Sequence, residues 1–367
     1  MRVLFLTNMP APYRVDFFNE LGKSCDLTVL FESQADKSRN DGWVADKMTG
    51  FKAVFMKGIK KGDADAFCPE VIRYLSLKKY DLIVVGAYHT PTGMLAIEYM
   101  KLRRIPFIIS SDGGMKKKDH GIRHKIKQHF IGAASAWLST GETTSEYLTY
   151  YGANADKIYV YPFTSIKESD IIAEPLSEKE RRAYREKLGI QESRMMVAVG
   201  QFIHRKGYDI LLKSCKDMDP SVGVYIVGGQ PTKEYHQMQL DMDLSNVHFV
   251  DFMKKKDLAE YYKAADFFVH PTREDIWGLV INEAMAFGLP VITTDKCVAG
   301  IEMVENGING WVVKSESVSE LSEAIQNLLA CDIRKAACIA LQKARAYTIE
   351  QMALEHIKIL GKLVDRV

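Results

Sequence analysis

The amino-acid sequence predicts an α/β protein made of two doubly wound, Rossmann-like domains. Short runs of β-branched and other apolar residues alternate with segments of helical period, which is typical of mostly parallel sheets covered by helices. The same alternation begins again after a polar segment, Thr164–Glu174, near the middle of the chain. A length of 367 residues suits two domains of ordinary size.

The first half alternates strand and helix patterns from its first residues. The predicted strands are Val3–Thr7, Leu27–Glu32, Ala53–Met56, Leu82–Val85, Phe107–Ser110, Trp137–Ser139 and Ile158–Pro162. The predicted helices are Tyr13–Lys23, Pro69–Lys78, Gly93–Arg103, Ile122–Gly132 and Thr144–Tyr151. We place the first domain at residues 1–165, and we interpret Thr164–Glu174 as a linker.

The second half opens with a charged helix, Ser177–Leu188, and repeats the alternation. The predicted strands are Met195–Val199, Val222–Val227, Val247–Val250, Phe267–His270, Val291–Thr294 and Gly310–Val313. The predicted helices are Tyr208–Lys216, Lys233–Asp241, Lys256–Ala264, Leu279–Phe287, Ser319–Ala330, Ile333–Ala346 and Ile349–Val364. We place the second domain at residues 166–345 and assign residues 346–367 to a last helix.

Composition excludes several classes of protein. Hydrophobic residues make up 47% and charged residues 26%, which are ordinary values for a globular protein, and a net charge of +2 gives no signal for nucleic-acid binding. The six cysteines form no Cys-x-x-Cys pair and are expected to be free thiols in a reducing compartment. No apolar run reaches the length of a membrane span, and Met1–Leu6 is too short for a signal peptide. We therefore expect a cytoplasmic protein.

The segment 272–295 is the most informative part of the sequence. Gly278 is predicted to begin a helix that Gly288 ends, and Pro290 precedes the next strand. A helix that begins at Gly278 would direct its backbone N–H groups and the positive end of its dipole towards an anion above the strands. Asp275 lies just before this helix start and Glu283 lies inside the helix, so two carboxylates flank it. An amphipathic helix preceded by a solvated acidic loop is the alternative interpretation.

This segment resembles the carboxylate motif of the retaining glycosyltransferases of family 4, which have the GT-B fold. Trp277-Gly278-Leu279 and the run from Glu283 to Val291 match the family pattern. The family has two glutamates with seven residues between them, whereas this chain has Asp275 at the first position and Glu274 one residue earlier. The resemblance implies that Glu283 binds the ribose of the donor. It further implies that Asp275 or Glu274 binds the transferred sugar.

A second informative segment, which is basic, follows a predicted strand. Arg205-Lys206-Gly207 resembles the phosphate-binding element of the family, and paired cations would neutralise the diphosphate that departs as the sugar bond breaks. A solvated basic turn is the alternative. The family often has Arg where Gln201 stands, so one cation is missing.

The resemblance implies further donor contacts at other strand ends. Gly228-Gly229 matches a glycine-rich turn near the nucleotide, and Met253 lies where the family contacts the base through its backbone. The backbone N–H groups of Gly300 and Ile301 are expected to face the diphosphate. The resemblance also implies that the last helix packs back on the first domain.

In the first half, Asp112 and His89 follow strands and would bind the donor sugar or the acceptor. A turn aspartate and a histidine near a helix cap are the alternatives. Family members often glycosylate lipid-linked acceptors. The segment Lys116–Lys127 is rich in cations, and apolar residues recur there at helical spacing, namely Ile122, Ile126, Phe130 and Ile131. This pattern is typical of a helix that lies on an anionic membrane. A solvated face over a packed apolar stripe is the alternative.

No metal or other cofactor is expected. The triplets Asp63-Ala-Asp65, Asp217-Met-Asp219 and Asp241-Met-Asp243 lack the strand-turn setting of a metal-binding pair, and GT-B enzymes do not need a metal. We therefore expect a metal-independent hexosyltransferase that transfers a sugar from a nucleotide diphosphate donor to a glycan or lipid-linked acceptor in polysaccharide or lipopolysaccharide synthesis. A nucleotide-sugar epimerase and a catalytically inactive sugar-nucleotide-binding protein are the alternatives.

Overall fold

The computed structural model describes residues 1–33, 47–60, 65–117 and 119–364. These residues form two compact units. Unit 1 contains residues Met1–Ser165 together with Tyr347–Val367, and unit 2 contains Ile166–Ala346.

Unit 1 is built on a parallel sheet with the strand order β3-β2-β1-β6-β7-β8-β9. Its strands are short and mostly buried on both faces, as expected for a parallel sheet that helices cover. They are β1 (Arg2–Thr7), β2 (Asp26–Phe31), β3 (Lys52–Phe55), β6 (Leu82–Val85), β7 (Ile108–Ser110), β8 (Ala136–Ser139) and β9 (Ile158–Val160). A separate antiparallel pair joins β4 (Ile59–Lys60) to β5 (Ala66–Phe67).

The helices of unit 1 are α1 (Pro12–Leu21), α2 (Pro91–Arg103), α3 (Ile122–Ile131) and α4 (Glu142–Tyr150). Thr90 caps α2 by accepting a hydrogen bond from the Gly93 amide at 3.0 Å. One core cluster packs apolar residues of α2 and α4 against the strands, including Ile97, Met100 and Leu148.

Unit 2 has a parallel sheet with the order β12-β11-β10-β13-β14-β15. Its strands are β10 (Arg194–Val199), β11 (Val222–Val227), β12 (Val247–Val250), β13 (Phe267–His270), β14 (Val291–Thr294) and β15 (Gly310–Val313). Its helices are α5 (Glu178–Leu188), α6 (Tyr208–Ser214), α7 (Lys233–Asp241), α8 (Lys255–Ala264), α9 (Leu279–Ala286), α10 (Val298–Met303), α11 (Val318–Ala330) and α12 (Ile333–Ala346).

The last helix, α13 (Ile349–Val364), belongs to unit 1 and packs against α1. Its buried face includes Met352, His356 and Leu360. The His356 ring lies between Phe17 of α1 and Tyr161, with ring centroids 4.6 and 4.3 Å away.

The doubly wound class predicted for both halves is confirmed, and the structure corrects several elements. The helix predicted over Pro69–Lys78 is only a 3₁₀ segment, Pro69–Arg73, because the chain leaves helical geometry after Tyr74. Helix α10 and the pair β4–β5 were not predicted. The predicted linker contains a 3₁₀ turn, Glu168–Asp170, and the buried residue Ile166.

The strand order reverses at one point in each sheet, between β1 and β6 in unit 1 and between β10 and β13 in unit 2. Open sheets of this kind bind ligands beyond the carboxyl ends of the strands at such a point. The loops after β10 and β13 are therefore where a donor site in unit 2 is expected.

Candidate functional site

Asp275 is the centre of a charged cluster beyond the end of β13. Its Oδ2 accepts hydrogen bonds from Lys206 Nζ at 2.8 Å and from His270 Nε2 at 3.2 Å. Arg205 Nη1 lies 3.7 Å from the same oxygen. The predicted residues Arg205, Lys206 and Asp275 thus meet at one place, and the Lys206 side chain is only 11% exposed.

The surroundings of Asp275 keep its carboxylate ionised. Burial alone would raise the pKa of Asp275, but the hydrogen bond from His270 and the charge of Lys206 outweigh burial and hold that pKa well below its ordinary value. Burial and the Lys206 charge lower the pKa of His270, so its ring is neutral at pH 7. The hydrogen bond to Asp275 places the ring proton on Nε2, and Nδ1 has no partner among the described residues.

Backbone and side-chain contacts fix the loop after β10 against the loop after β13. Arg205 Nη1 donates to the Glu274 carbonyl at 2.7 Å, and the Arg273 amide donates to the Arg205 carbonyl at 2.8 Å. The Arg273 guanidinium binds both carboxylate oxygens of Asp209 at 2.7 and 2.8 Å. Gly207 permits the close approach, because a Cβ there would lie 2.0 Å from the Pro271 carbonyl oxygen.

Helix α9 begins where the sequence predicts. Gly278 is its N-cap residue and has a φ of +106°, and Gly288 follows its end with a φ of +68°. A Cβ on Gly278 would lie 2.5 Å from Cys297 Sγ, so glycine is required for both conformation and space. Leu279 is the first helical residue and is half-buried. The first-turn N–H groups of a helix have no partner within it, so this tip suits an anion.

Glu283 lies in the second turn of α9, and its Oε2 accepts a hydrogen bond from Tyr262 at 3.3 Å. Burial raises the pKa of Tyr262 well above its ordinary value, so the phenol stays protonated and donates. Glu274 lies beside Asp275 in the chain, and Lys206 pairs with the side chain of Asp275.

The other predicted donor residues lie at neighbouring strand ends of unit 2. Gly228 and Gly229 follow β11, and both amides face the Val250 carbonyl, at 3.0 and 3.4 Å. Met253 is half-buried three residues beyond β12.

Residues Gly300 and Ile301 lie in α10, and the structure corrects the prediction that the backbone N–H group of Ile301 faces the diphosphate. The Ile301 amide donates to the Cys297 carbonyl at 3.1 Å. Gly300 is buried against Thr293. The Ile301 N–H group is therefore bonded within the helix, whereas a contact between the Gly300 N–H group and a diphosphate stays a prediction.

In unit 1, Asp112 lies beyond the end of β7 in an ion pair with Arg14 of α1. Tyr161 donates to Asp112 Oδ1 at 3.4 Å and to the Ser111 carbonyl at 3.1 Å. Burial raises the pKa of Asp112, and the charge of Arg14 opposes that effect. His89 is exposed and close enough to Asp112 to interact electrostatically. Asp112 and His89 thus lie near each other at the carboxyl ends of their strands.

Sequence reasoning missed the partners of both carboxylates. His270 and Tyr161 fall in predicted strands and Arg14 falls in the predicted helix Tyr13–Lys23, and none of them has a predicted role. A polar residue at the last position of a buried strand, as His270 is, was the available signal. No local signal pairs Arg14 with Asp112, because 98 residues separate them.

Helix α3 does not have the fully packed apolar stripe of the second predicted alternative, a solvated face over a packed stripe. Ile122 is 77% exposed and Ile126 is 44% exposed, so the apolar stripe is not packed along its length. Lys116 and Lys117 before the helix and Arg123 and Lys125 within it are exposed as well. Lys127 is different, because it donates to Asp119 Oδ2 and to the Tyr151 hydroxyl, each at 3.0 Å. Lys118 lies outside the described residues.

The structure gives the aspartate triplets no metal-binding geometry where it describes them. No group of histidine, cysteine or acidic side chains suited to a metal occurs among the described residues. Asp219 instead accepts a hydrogen bond from the Ser221 amide at 2.8 Å. Asp63 lies outside the described residues. Within the same described ranges, no helix is both long and apolar enough to cross a membrane.

Residues 180–345 match the family model described as "Glycosyl transferases group 1". The chain is 27% identical over 260 residues to a D-inositol 3-phosphate glycosyltransferase of Xylanimonas cellulosilytica, covering 65% of this chain and 60% of the relative. It is 25% identical over 201 residues to the lipopolysaccharide glucosyltransferase WaaG of Escherichia coli, covering 52% of each. The match therefore spans between half and three fifths of the length of these relatives.

Among solved structures, HepE of Anabaena in complex with UDP superposes with a TM-score of 0.79. The identity is 18%, and the superposition covers 99% of this chain and 100% of HepE. At this identity the likeness establishes the fold, and the predicted GT-B fold is confirmed.

Proposed function

We propose that this chain is a group 1 glycosyltransferase and transfers a sugar from a nucleoside diphosphate sugar to a hydroxyl group of a glycan or lipid-linked acceptor. The reaction would serve polysaccharide or lipopolysaccharide synthesis and would retain the anomeric configuration. The observation that carries the proposal is the cluster of Lys206, Arg205 and Asp275 beside the first turn of α9.

In the proposed reaction, the bond from the anomeric carbon to the diphosphate oxygen breaks, and the acceptor hydroxyl oxygen forms the new bond to that carbon. The hydroxyl proton passes to an oxygen of the departing diphosphate. Negative charge on the diphosphate grows as the bond breaks, so Lys206, Arg205 and the α9 tip would stabilise the transition state more than the bound donor. We propose that these groups replace a metal ion, in which case a chelator would leave turnover unchanged.

The carboxylates receive separate roles. Glu283 lies one and a half turns beyond Gly278 and would accept hydrogen bonds from the ribose hydroxyls, while Tyr262 orients it. Asp275, held by His270, would contact the transferred sugar as the diphosphate draws Lys206 towards itself. Asp112 and His89 of unit 1 would bind a hydroxyl of the sugar or the acceptor.

Helix α3 supports a proposal about where the acceptor is reached. Ile122 and Ile126 are exposed in a segment that also has four exposed cations, which matches the chemistry of an anionic membrane surface. WaaG acts, by its name, on lipopolysaccharide. We propose that α3 contacts the cytoplasmic face of the membrane.

Vesicle binding tests the membrane contact. Ile122→Glu should abolish sedimentation of the protein with vesicles containing phosphatidylglycerol. High salt should weaken the binding of the wild-type protein to the same vesicles. Leu102→Glu, at a position 82% exposed on α2, is the matched control and should leave binding unchanged. Equal binding of both variants would exclude α3 as the contact.

Donor turnover tests the main proposal. Removal of the cation in Lys206→Ala should lower kcat by about 10²- to 10³-fold, and Arg205→Ala should lower it less because Arg205 is farther from Asp275. Lys216→Ala, at an exposed position of unit 2, should behave like the wild type. Unchanged turnover in Lys206→Ala would refute the phosphate assignment. Conversion of the donor without an acceptor would identify an epimerase instead.

A further inference from the structure

We infer that Asp251 and Gln230 recognise the nucleobase of the donor and select guanine. The inference rests on the proposed function, because it requires a nucleoside diphosphate whose phosphates bind at the start of α9. It assigns the donor to the guanosine diphosphate sugars.

The shape of unit 2 indicates the direction in which the nucleoside extends from α9. On the β14 side, Val298, Ala299 and Gly300 of α10 are buried and fill the space beside the helix start. On the other side lie β10, β11 and β12, and three strand spacings from β13 to β12 amount to about 14 Å. An extended nucleoside diphosphate can span this distance, so its base would reach the ends of β11 and β12.

The ends of β11 and β12 offer open space. A Cβ on Gly228 would lie 1.8 Å from the Gly200 carbonyl oxygen, so the loops after β10 and β11 touch there. Gly229, one residue further, has a φ of +111°, and a Cβ added to it would meet no atom within 4 Å. The surface above Gly229 can therefore receive a flat ring.

The residues that follow these two strands supply two polar side chains and an aromatic ring. Gln230 Nε2 donates to Asp251 Oδ1 at 2.5 Å, which joins the residues that follow β11 and β12 and orients the carboxylate. Both side chains are exposed. Phe252 follows directly and is 45% exposed, although large apolar side chains are usually buried. A base bound here would stack on an aromatic ring and meet a carboxylate at its edge.

A carboxylate discriminates among bases because it only accepts hydrogen bonds. Guanine presents two adjacent donors, N1–H and the N2 amino group, which match the two oxygens of a carboxylate. Uracil and thymine present one N–H between two carbonyl oxygens, and a carboxylate repels these oxygens. Adenine and cytosine present an amino group beside a ring nitrogen that is an acceptor. A good bidentate pair discriminates between bases by about tenfold to a hundredfold.

Calorimetric titration of the full chain with GDP, UDP and ADP tests this inference. We expect GDP to bind at least about tenfold more tightly than UDP and ADP. Asp251→Asn, which replaces an acceptor by a donor at constant shape, should remove this difference by weakening GDP. Phe252→Leu should weaken all three nucleotides by similar factors, and Asp257→Asn, at an exposed position of α8, should change none.

The outcomes separate the inference from the proposed function. Preference for UDP or ADP, with affinity that depends on Lys206, would overturn the base assignment and leave the proposed glycosyltransferase reaction intact. A GDP preference that persists in Asp251→Asn would also overturn it. Failure of all three nucleotides to bind would overturn both the base assignment and the proposed diphosphate site.

Discussion

Lys206 Nζ lies 2.8 Å from Asp275 Oδ2, and 69 residues separate the two positions in the sequence. Both side chains are largely buried, so the pair joins the loop after β10 to the loop after β13 at the switch point of the sheet. A buried ion pair is weak evidence for stability, because desolvation opposes its attraction. Its position at the start of α9 makes a functional role the better explanation.

The charge of Asp275 should matter more than its length. Asp275→Asn removes the charge that pairs with Lys206 and is expected to lower kcat/KM by about 10²-fold, whereas Asp275→Glu, the residue of the resembling family, should retain most activity. Steady-state kinetics with circular dichroism as a check on folding measures both. Equal activity of the Asn variant and the wild type would remove Asp275 from the site.

Substitution of Gly278 should damage the α9 start. Gly278→Ala places a methyl group against Cys297 Sγ at a positive φ and is expected to cost about 1–3 kcal/mol of unfolding free energy. The double variant Gly278→Ala/Cys297→Ala removes the clash and should recover part of this loss. Gly189→Ala, at a φ of +73° in open space, isolates the backbone cost. Equal destabilisation of the Gly278 and Gly189 single variants in urea unfolding would contradict the steric argument.

Arg273 should hold the two loops together. It binds both oxygens of Asp209 and also the His204 carbonyl at 2.7 Å, a geometry that lysine cannot reproduce. Arg273→Lys is expected to lower the unfolding free energy by about 1–3 kcal/mol and to raise the KM for the donor. Arg182→Lys, on the exposed face of α5, is the control and should have little effect. An unchanged KM would show that the loops keep their positions without this clamp.

His356 should make the stability of unit 1 depend on pH. Burial lowers its pKa to about 4, from 6.5 when unfolded. Between these two pKa values the unfolded chain binds a proton that the folded chain does not. The free energy of unfolding therefore falls as the pH drops below 6.5. In the wild type, His356 should lower the free energy of unfolding by about 2 kcal/mol between pH 7 and pH 5, and His356→Leu should abolish this decrease. Urea unfolding of the variant and of the wild type is compared at each pH, because the contributions of all other titrating groups then cancel. An identical pH dependence of the variant and the wild type would refute this assignment.

Much of the fold could be predicted because it depends on local patterns. The strands Val222–Val227, Phe267–His270 and Val291–Thr294 are short runs of mostly apolar and β-branched residues, and the structure gives them the predicted bounds. Glycine signals located α9 equally well. Helix α10 escaped prediction because its six residues are too few to show a helical period. The segment Pro69–Lys78 has a helical pattern, but its apolar residues pack without a continuous helix.

The site was predictable only in part, for the same physical reason. Motif residues such as Lys206 and Asp275 are visible in the sequence, yet their contact depends on which strands become neighbours. The contacts of His270 with Asp275 and of Arg14 with Asp112 arise from tertiary packing, and no spacing indicates them. The exposure of Ile122 and Ile126 likewise depends on what packs against α3, which periodicity cannot indicate.

A crystal structure of the chain with a bound nucleoside diphosphate would test the central claim most directly. The account predicts phosphate oxygens within hydrogen-bond distance of Lys206 Nζ and of the amides of Gly278 and Leu279. Phosphates bound elsewhere, with Lys206 still on Asp275 and the α9 start unoccupied, would contradict it.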